Sequence, residues 1–376
     1  MTMLERRWTR AEILRASAAG TLGLYLAGCG GNGGDSEGGG GGGGGGPATL
    51  NWMTWSDHYI DKPNQLAEVR SKTKIGARPQ LFSDNSEAYL KLQQAPEQLD
   101  VVSGDSLWIA KYGAEDMITS FDLDDVPASS QLYSVAKDVD FWKDGSKYWG
   151  YPFGWSSILI FFNPKHVSPA PTSWEVLTDR KYRGKITMEN QPTDVMAFAG
   201  AATGAKKPYD MTPDEISRAK DFLAQVKPNV LKLVAQNQEA IRALTNEEAW
   251  ISTGNLGYDV RVKEGGGPEI ESVVPSEGTV GWADAESLVG VSDKHDATLK
   301  WLDAMEQAEY IAENFIFNGR PLFNEKAYKV LVDRGEKERA DRFYFNEPER
   351  AFEMTLKGPS GDTQAYIDAF NEVFGG

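Results

Sequence analysis

Leu50-Asn51-Trp52-Met53-Thr54-Trp55-Ser56-Asp57-His58-Tyr59-Ile60 sets the reading of the whole chain. It begins as an apolar, alternating run, the period-two pattern of a β-strand. A ring, a hydroxyl, a carboxylate and a second ring (Trp55, Ser56, Asp57, Tyr59) then fall within five residues at the strand's C-terminal end. In open α/β sheets, ligands gather outside the carboxyl ends of the strands. A flat ring offers a cation–π face and a carboxylate offers charge-assisted hydrogen bonds, so this group suits a cationic amine. The competing reading puts Trp55 and Tyr59 in the core and makes Asp57 the cap of the next helix.

Outward from that strand, helices and strands alternate. Residues 50–55 read as a strand and 61–72 as a helix. A short strand at 79–82 precedes a helix over 86–94, with Ser86 as its N-cap. Residues 99–103 form a buried strand, followed by a helix over 106–112. This β-α-β-α-β order predicts a parallel sheet with helices on both faces. Residues 120–147 look irregular. Two aromatic-rich strands are expected at 148–153 and 157–162, then a short helix from 173 and a strand at 185–188. Helical patterns follow over 191–202, 213–226 and 236–244, then a strand at 249–253 and a helix over 255–263. Strands at 270–274 and 279–283 lead into a mainly helical region from His295, ending in an amphipathic helix near 361–374. Two α/β units, with the chain returning late to the first, are the expected organisation.

A chain of 376 residues exceeds one ordinary core, so two domains are expected. The net charge of −16 argues against a nucleic-acid binder, which needs clustered Lys and Arg. Cys29 is the single cysteine, so no internal disulfide can form. His58, His166 and His295 are far apart, and no Cys/His metal spacing can be built from them. Neither a metal nor a cofactor is expected. Gly265-Gly266-Gly267-Pro268 lacks the Lys-Ser/Thr of a phosphate loop and reads as a turn.

Residues 1–28 read as a targeting segment and are set apart from the fold. Arg6-Arg7 precede a weakly apolar run from Ile13 to Leu26, too short for a membrane span. Twin arginines there fit a twin-arginine export signal, with the ordinary secretory route as the alternative. Leu26-Ala27-Gly28-Cys29 resembles the lipobox of bacterial lipoproteins, which implies cleavage before Cys29 and lipidation of its sulfur. Residues 29–47 are glycine-rich and cannot bury apolar surface, so they read as a flexible tether. An anchored residue, a tether and a folded body suit a receptor on the outer face of the bacterial cytoplasmic membrane.

Six motifs then occur in order. They are Trp55-Ser56-Asp57 with Tyr59 after an inserted His58; Asn85-Ser86-Glu87; and Asp100-Val101-Val102. Next come Tyr151-Pro152-Phe153-Gly154-Trp155, running into a strand that ends at Asn163, and Ser173-Trp174 with Leu177 and Tyr182-Arg183-Gly184-Lys185. The last is Pro275-Ser276-Glu277-Gly278 with Trp282-Ala283-Asp284. Together they resemble the periplasmic solute-binding proteins of bacterial ABC importers, specifically the spermidine/putrescine-binding group, over about residues 48–330. The resemblance implies an α/β, two-lobe periplasmic-binding-protein fold (a Venus flytrap). Each lobe would be a mixed sheet flanked by helices, with the chain crossing between lobes. Lobe 1 would comprise 48–152 plus about 284–324, and lobe 2 would comprise 153–283 plus about 325–376. Hinges are expected near 152–155, 283–286 and 322–328.

The resemblance also implies a site and a role. Trp55, Ser56, Asp57 and Tyr59 would line the first lobe's wall, and Trp282 and Asp284 would add a ring and a central carboxylate. The family's acidic loop is matched loosely by Glu189-Asn190 and Asp194-Val195, with Asp194 favoured. Four positions depart from the family. Asp105 and Leu107 stand where it has a serine and a tyrosine, Ser252 where it has a tryptophan, and Arg320 where it has a tyrosine. A guanidinium in the cleft would repel a plain polyamine. Arg320 must therefore pair with Asp284 or a neighbour, or else the ligand carries a carboxylate. The expected function is capture of a polyamine-like cation, with a zwitterionic amine or amino acid as the alternative. The protein would be a monomer and no enzyme, delivering its ligand to a membrane permease. A hydrolase reading rests on Gly104-Asp105-Ser106-Leu107, but Asp293-Lys294-His295 has the wrong spacing for its base. A surface adhesin or scaffold keeping the fold without the ligand is the remaining class.

Overall fold

The structure, a computed structural model, describes residues 48–60, 64–82, 85–350, 354–357 and 363–375. The targeting segment, Cys29 and the glycine tether lie outside the described residues.

The chain opens with β1 (Thr49–Thr54), α1 (Gln65–Thr73), β2 (Gly76–Leu81), α2 (Asn85–Gln94), β3 (Val101–Asp105) and α3 (Ser106–Ala114). Strand β1 pairs in parallel with β2 on one side and β3 on the other, as the alternation predicts. Ser86 lies inside α2 and is not its N-cap. The region expected to be irregular holds short pieces: β4 (Ile118–Thr119), α4 (Ser134–Lys137), β5 (Lys143–Asp144) and β6 (Lys147–Tyr148).

The two aromatic strands expected at 148–153 and 157–162 are one strand, β7 (Tyr151–Phe162), buried along its whole length. Gly154, which falls between the two expected strands, is a point of close approach. A Cβ at that position would lie 2.8 Å from the Pro321 carbonyl and 2.7 Å from the Leu322 side chain. The bare glycine lets the 321–322 segment cross against the strand, and Trp155 N–H donates to Pro321 at 3.2 Å.

The second half contains β8 (Ile186–Glu189), α5 (Pro192–Ala202), α6 (Pro213–Val226), β9 (Val230–Val234), α7 (Asn237–Thr245), β10 (Ile251–Asn255) and α8 (Tyr258–Glu264). Helix α6 begins with a capping box between Thr212 and Glu215 and a proline in its first turn, which fixes its start. Then follow β11 (Glu271–Val273), β12 (Val280–Val289), α9 (His295–Met305), α10 (Ala308–Asn318), α11 (Glu325–Asp333) and α12 (Lys337–Arg342). The chain closes with β13 (Thr355–Leu356), which has no counterpart in the sequence reading, and α13 (Thr363–Phe374).

The strands run in the order β2-β1-β3-β12-β7-β10-β8-β9, with β4 and β13 on β12 and β11 on β7. Pairing is parallel within β2-β1-β3 and within β10-β8-β9, and antiparallel across β3-β12-β7-β10. The sheet is therefore mixed. The long strands carry the passage between halves: β7 pairs with β12 over residues 151–157 and with β10 over 158–162. Strand β12 runs on to Val289, six residues beyond the expected end, because its C-terminal half pairs with β3 and β4 of the first half. Two cores result. One gathers Leu50, Trp52, Val101 and Trp301, and the other gathers Ile160, Met188 and Phe198 with Tyr366 and Phe370 of α13.

Candidate functional site

The segment after β1 is held by the end of α10. Asn318 Nδ2 donates to the backbone carbonyls of Asp57 at 3.0 Å and Tyr59 at 3.2 Å. Gly319 then takes the left-handed conformation (φ 65°), where glycine is favoured, and turns the chain so that Arg320 faces back towards Asp57.

Arg320 binds two carboxylates. Its Nη1 donates to Asp57 Oδ2 at 3.0 Å and its Nη2 to Asp284 Oδ2 at 2.7 Å. The guanidinium lies 5.1 Å from the Phe153 ring centroid, and the His58 ring stacks on the same phenyl at 4.3 Å. His58 Nδ1 is 2.5 Å from Glu286 Oε1. The other Glu286 oxygen accepts from Trp52 Nε1 at 2.9 Å and Ser103 Oγ at 2.8 Å. Burial alone would raise the Asp57 carboxyl, but Arg320 and then His58 hold it below the usual carboxylate range. Burial lowers His58, yet Glu286 and Asp284 raise it further, leaving it above its ordinary value.

A second cluster forms where β3 ends and α5 begins. Asp105, the last residue of β3, accepts from Asn85 Nδ2 at 3.1 Å and caps α3 through Trp108 N–H at 3.4 Å. Asp194, in the first turn of α5, accepts from the Tyr209 hydroxyl at 3.0 Å. Lys357 Nζ stands 3.7 Å from each of these two carboxylates. Burial pushes Asp105 up to about 6; Lys357 opposes that rise, while Asp284 and Asp194 add to it. Glu189, at the end of β8, accepts from the Tyr258 hydroxyl at 3.0 Å. Burial pushes its carboxyl up to about 7, with Asp194 adding to the rise. A pocket beside Glu189 and Asp194 is lined by Ile158, Val195 and Phe198 together with the polar Gln191 and Thr253.

The expected residues separate by position. Asp57, Asp284 and Arg320 come together, as do Asp105 and Asp194. Trp55 is half-buried against Phe82 and His58, and Ser56 is exposed beside it. Tyr59 turns into the core against Trp52. Trp282 is half-buried against the second core. Sequence reasoning treated His58 as an insertion and passed over Phe153, Glu286 and Lys357 as polar or packing partners. His58 and Glu286 lie 228 residues apart, so no local signal joins them. Lys357 directly follows the short strand that sequence patterning left out. Ser106 Oγ, the nucleophile of the hydrolase reading, donates to the Lys357 carbonyl at 2.6 Å. His295 bonds the Val289 carbonyl instead of a serine. Among the described residues, no group of three or more His, Cys, Asp or Glu is placed to hold a metal. Nor is any described helix long and apolar enough to cross a membrane.

Carboxylates from both halves of the sheet thus gather at the ends of strands and helices, the place where open α/β sheets take ligands. The chain belongs to the bacterial extracellular solute-binding proteins, whose family model matches residues 70–337. It is 24% identical over 290 residues to the spermidine/putrescine-binding periplasmic protein of Escherichia coli, covering 75% of this chain and 80% of that one. The protein of the same description in Salmonella typhimurium is 23% identical over 287 residues, with the same coverage. Among solved structures, the spermidine/putrescine ABC transporter substrate-binding protein PotD of Streptococcus pneumoniae superposes with a TM-score of 0.70 at 20% identity, covering 87% and 97% of the two chains. MotA of Agrobacterium tumefaciens in complex with glucopine superposes at 0.64 with 16% identity, covering 87% and 99%. The chain is thus the solute-binding component of an ABC transporter, with a two-lobed fold, and not an enzyme. Proteins of this kind bind a small-molecule ligand and hand it to the membrane permease.

Proposed function

We propose that this receptor captures a polyamine-like cation between its lobes. The observation that carries the reading is the Asp105–Asp194 pair, one carboxylate from each half, already arranged about a single ammonium. An ammonium leaves water at a high cost unless its charge is paired, so two converging carboxylates select for a positive ligand group. The polyamine-binding relatives support the same ligand class. Arg320 favours a second reading, a zwitterionic amine, because it brings a guanidinium to Asp57 and Asp284. Its charge is balanced there, so it does not by itself demand an anionic ligand.

Titration calorimetry with putrescine, spermidine, basic amino acids and 4-aminobutyrate tests the assignment. Binding of the polyamines alone supports it, and binding of the zwitterions alone moves the ligand class. The affinity for a polyamine should also rise with pH. Asp105 at about 6 and Glu189 at about 7 must lose protons to hold an ammonium, which itself stays protonated well above neutrality. Ionisation of Asp105 alone gives about a tenfold gain between pH 5 and pH 7, and ionisation of Glu189 adds to it. A flat profile would remove these two groups from the site. Cys29 after Leu26-Ala27-Gly28, followed by the glycine tether, supports export and lipid anchoring on the outer face of the cytoplasmic membrane. Mass spectrometry of the mature N-terminus checks this, and an unmodified Cys29 would sink it.

A further inference from the structure

We infer that Lys357 is a built-in ammonium that bridges the two lobes and that an incoming amine must displace. The inference rests on the amine reading for its ligand but on geometry for the bridge. Strand β13 lies along β12 in parallel, with Val280 opposite Thr355 and Gly281 opposite Leu356. The Lys357 N–H donates to the Gly281 carbonyl at 2.7 Å. The Lys357 carbonyl accepts from Ser106 Oγ, at the start of α3. Gly281 has no side chain to hold the strap off; a Cβ there would meet Met354 Sδ at 2.1 Å. The backbone of the strap is therefore fixed on both sides, and the Lys357 side chain extends from it to Asp105 of the first half and Asp194 of the second. Its side chain is 23% exposed, while those carboxylates are 5% and 12% exposed.

Electrostatics explains what this cation does. Without it, two carboxylates from opposite lobes face each other and repel. With it, each has an opposite charge within 4 Å, and the lobes are held together with no ligand present. A diamine brings the same chemical group to the same two oxygens. It therefore competes with a tethered ammonium whose effective concentration is on the order of millimolar. Lys357 thus sets a threshold: a ligand must gain more from the rest of the cleft than the bridge gives up. Short amines with one charged end gain least, so the bridge biases the receptor towards ligands with several contacts.

Lys357→Met keeps the length of the side chain and removes its charge. In the ligand-free protein, small-angle scattering should then give a radius of gyration larger by about 0.5 Å or more, on roughly 20 Å for a body of this size. Putrescine should bind the variant about tenfold more tightly, or better, because the internal competitor is gone. Lys357→Arg keeps the charge and should keep the compact ligand-free form, which separates loss of the bridge from damage to the strap. An unchanged radius in Lys357→Met overturns the bridge, and putrescine affinity that stays level or falls overturns the competition. If neither protein binds putrescine, the amine reading fails by itself, and the ligand-free radius still decides the bridge.

Discussion

Replacing Arg320 with methionine is expected to lower folding stability by about 3–5 kcal/mol, the usual cost of removing one partner from a buried ion pair. The larger share comes from Asp284, whose side chain is only 3% exposed and loses its 2.7 Å donor. Asp57 contributes less, because its side chain is 41% exposed and water screens it. The pH dependence carries a distinct sign. In the native protein Asp57 is held below its unfolded value, so its contribution is present above about pH 4 and is lost as pH falls through the folded value. Without Arg320, burial still raises Asp57 and only His58 and a backbone hydrogen bond oppose it, so this acid-side loss shrinks. The stability gap between the two proteins should therefore narrow as pH falls from 7 towards 4. Thermal unfolding of both proteins across that range checks the prediction. A loss under about 1 kcal/mol at pH 7, the scale of an exposed pair, would mean that Arg320 is not bound as described.

Asp194→Asn should reduce polyamine affinity by about 30-fold or more, since truncating one partner of a buried charge pair costs about 2–5 kcal/mol. Asparagine keeps the size of the side chain and can still accept from the Tyr209 hydroxyl, so the helix start should be undisturbed. The melting temperature should move little while calorimetry records the lost affinity. Asp293→Asn serves as the control, because Asp293 is exposed in the turn before α9 and touches none of the clustered carboxylates. Equal affinities for the two variants would remove Asp194 from the ligand site.

Much of the architecture is legible in the chain because it is local. The run Asn51–Thr54 is followed by a helix, then by Gly76–Leu81, and the alternation alone specifies parallel strands about a buried middle strand. Where the chain reads incorrectly, a long-range contact overrides a local signal. Gly154 looks like a gap between two strands, but it is the place where residues 321–322 press on one continuous strand. The short strand β13 has too little length to show a period, and it exists because the edge of β12 at Val280–Gly281 accepts it. The aromatic pair Trp55 and Tyr59 shows the same limit within five residues. Both rings suit a ligand, yet the turn after β1 sends Tyr59 into the core against Trp52 and leaves Trp55 half-buried beside His58.

The sequence by itself determined the alternation of strands and helices and set Asp57 beside a ring and a hydroxyl, since these are written in residues a few positions apart, while the two-lobed fold and the other carboxylates came from the resemblance to solute-binding proteins. Only the tertiary structure decided how their charges are balanced. Arg320 reaches back 263 residues to Asp57, and Lys357 lies 252 positions from Asp105. Coulombic pairing depends on separation in space and on burial, which chain position does not record. The pattern of acidic residues could therefore point to an amine and mark Arg320 as a cation in need of Asp284 or a neighbour, but it could not reveal Lys357 beside Asp105 and Asp194.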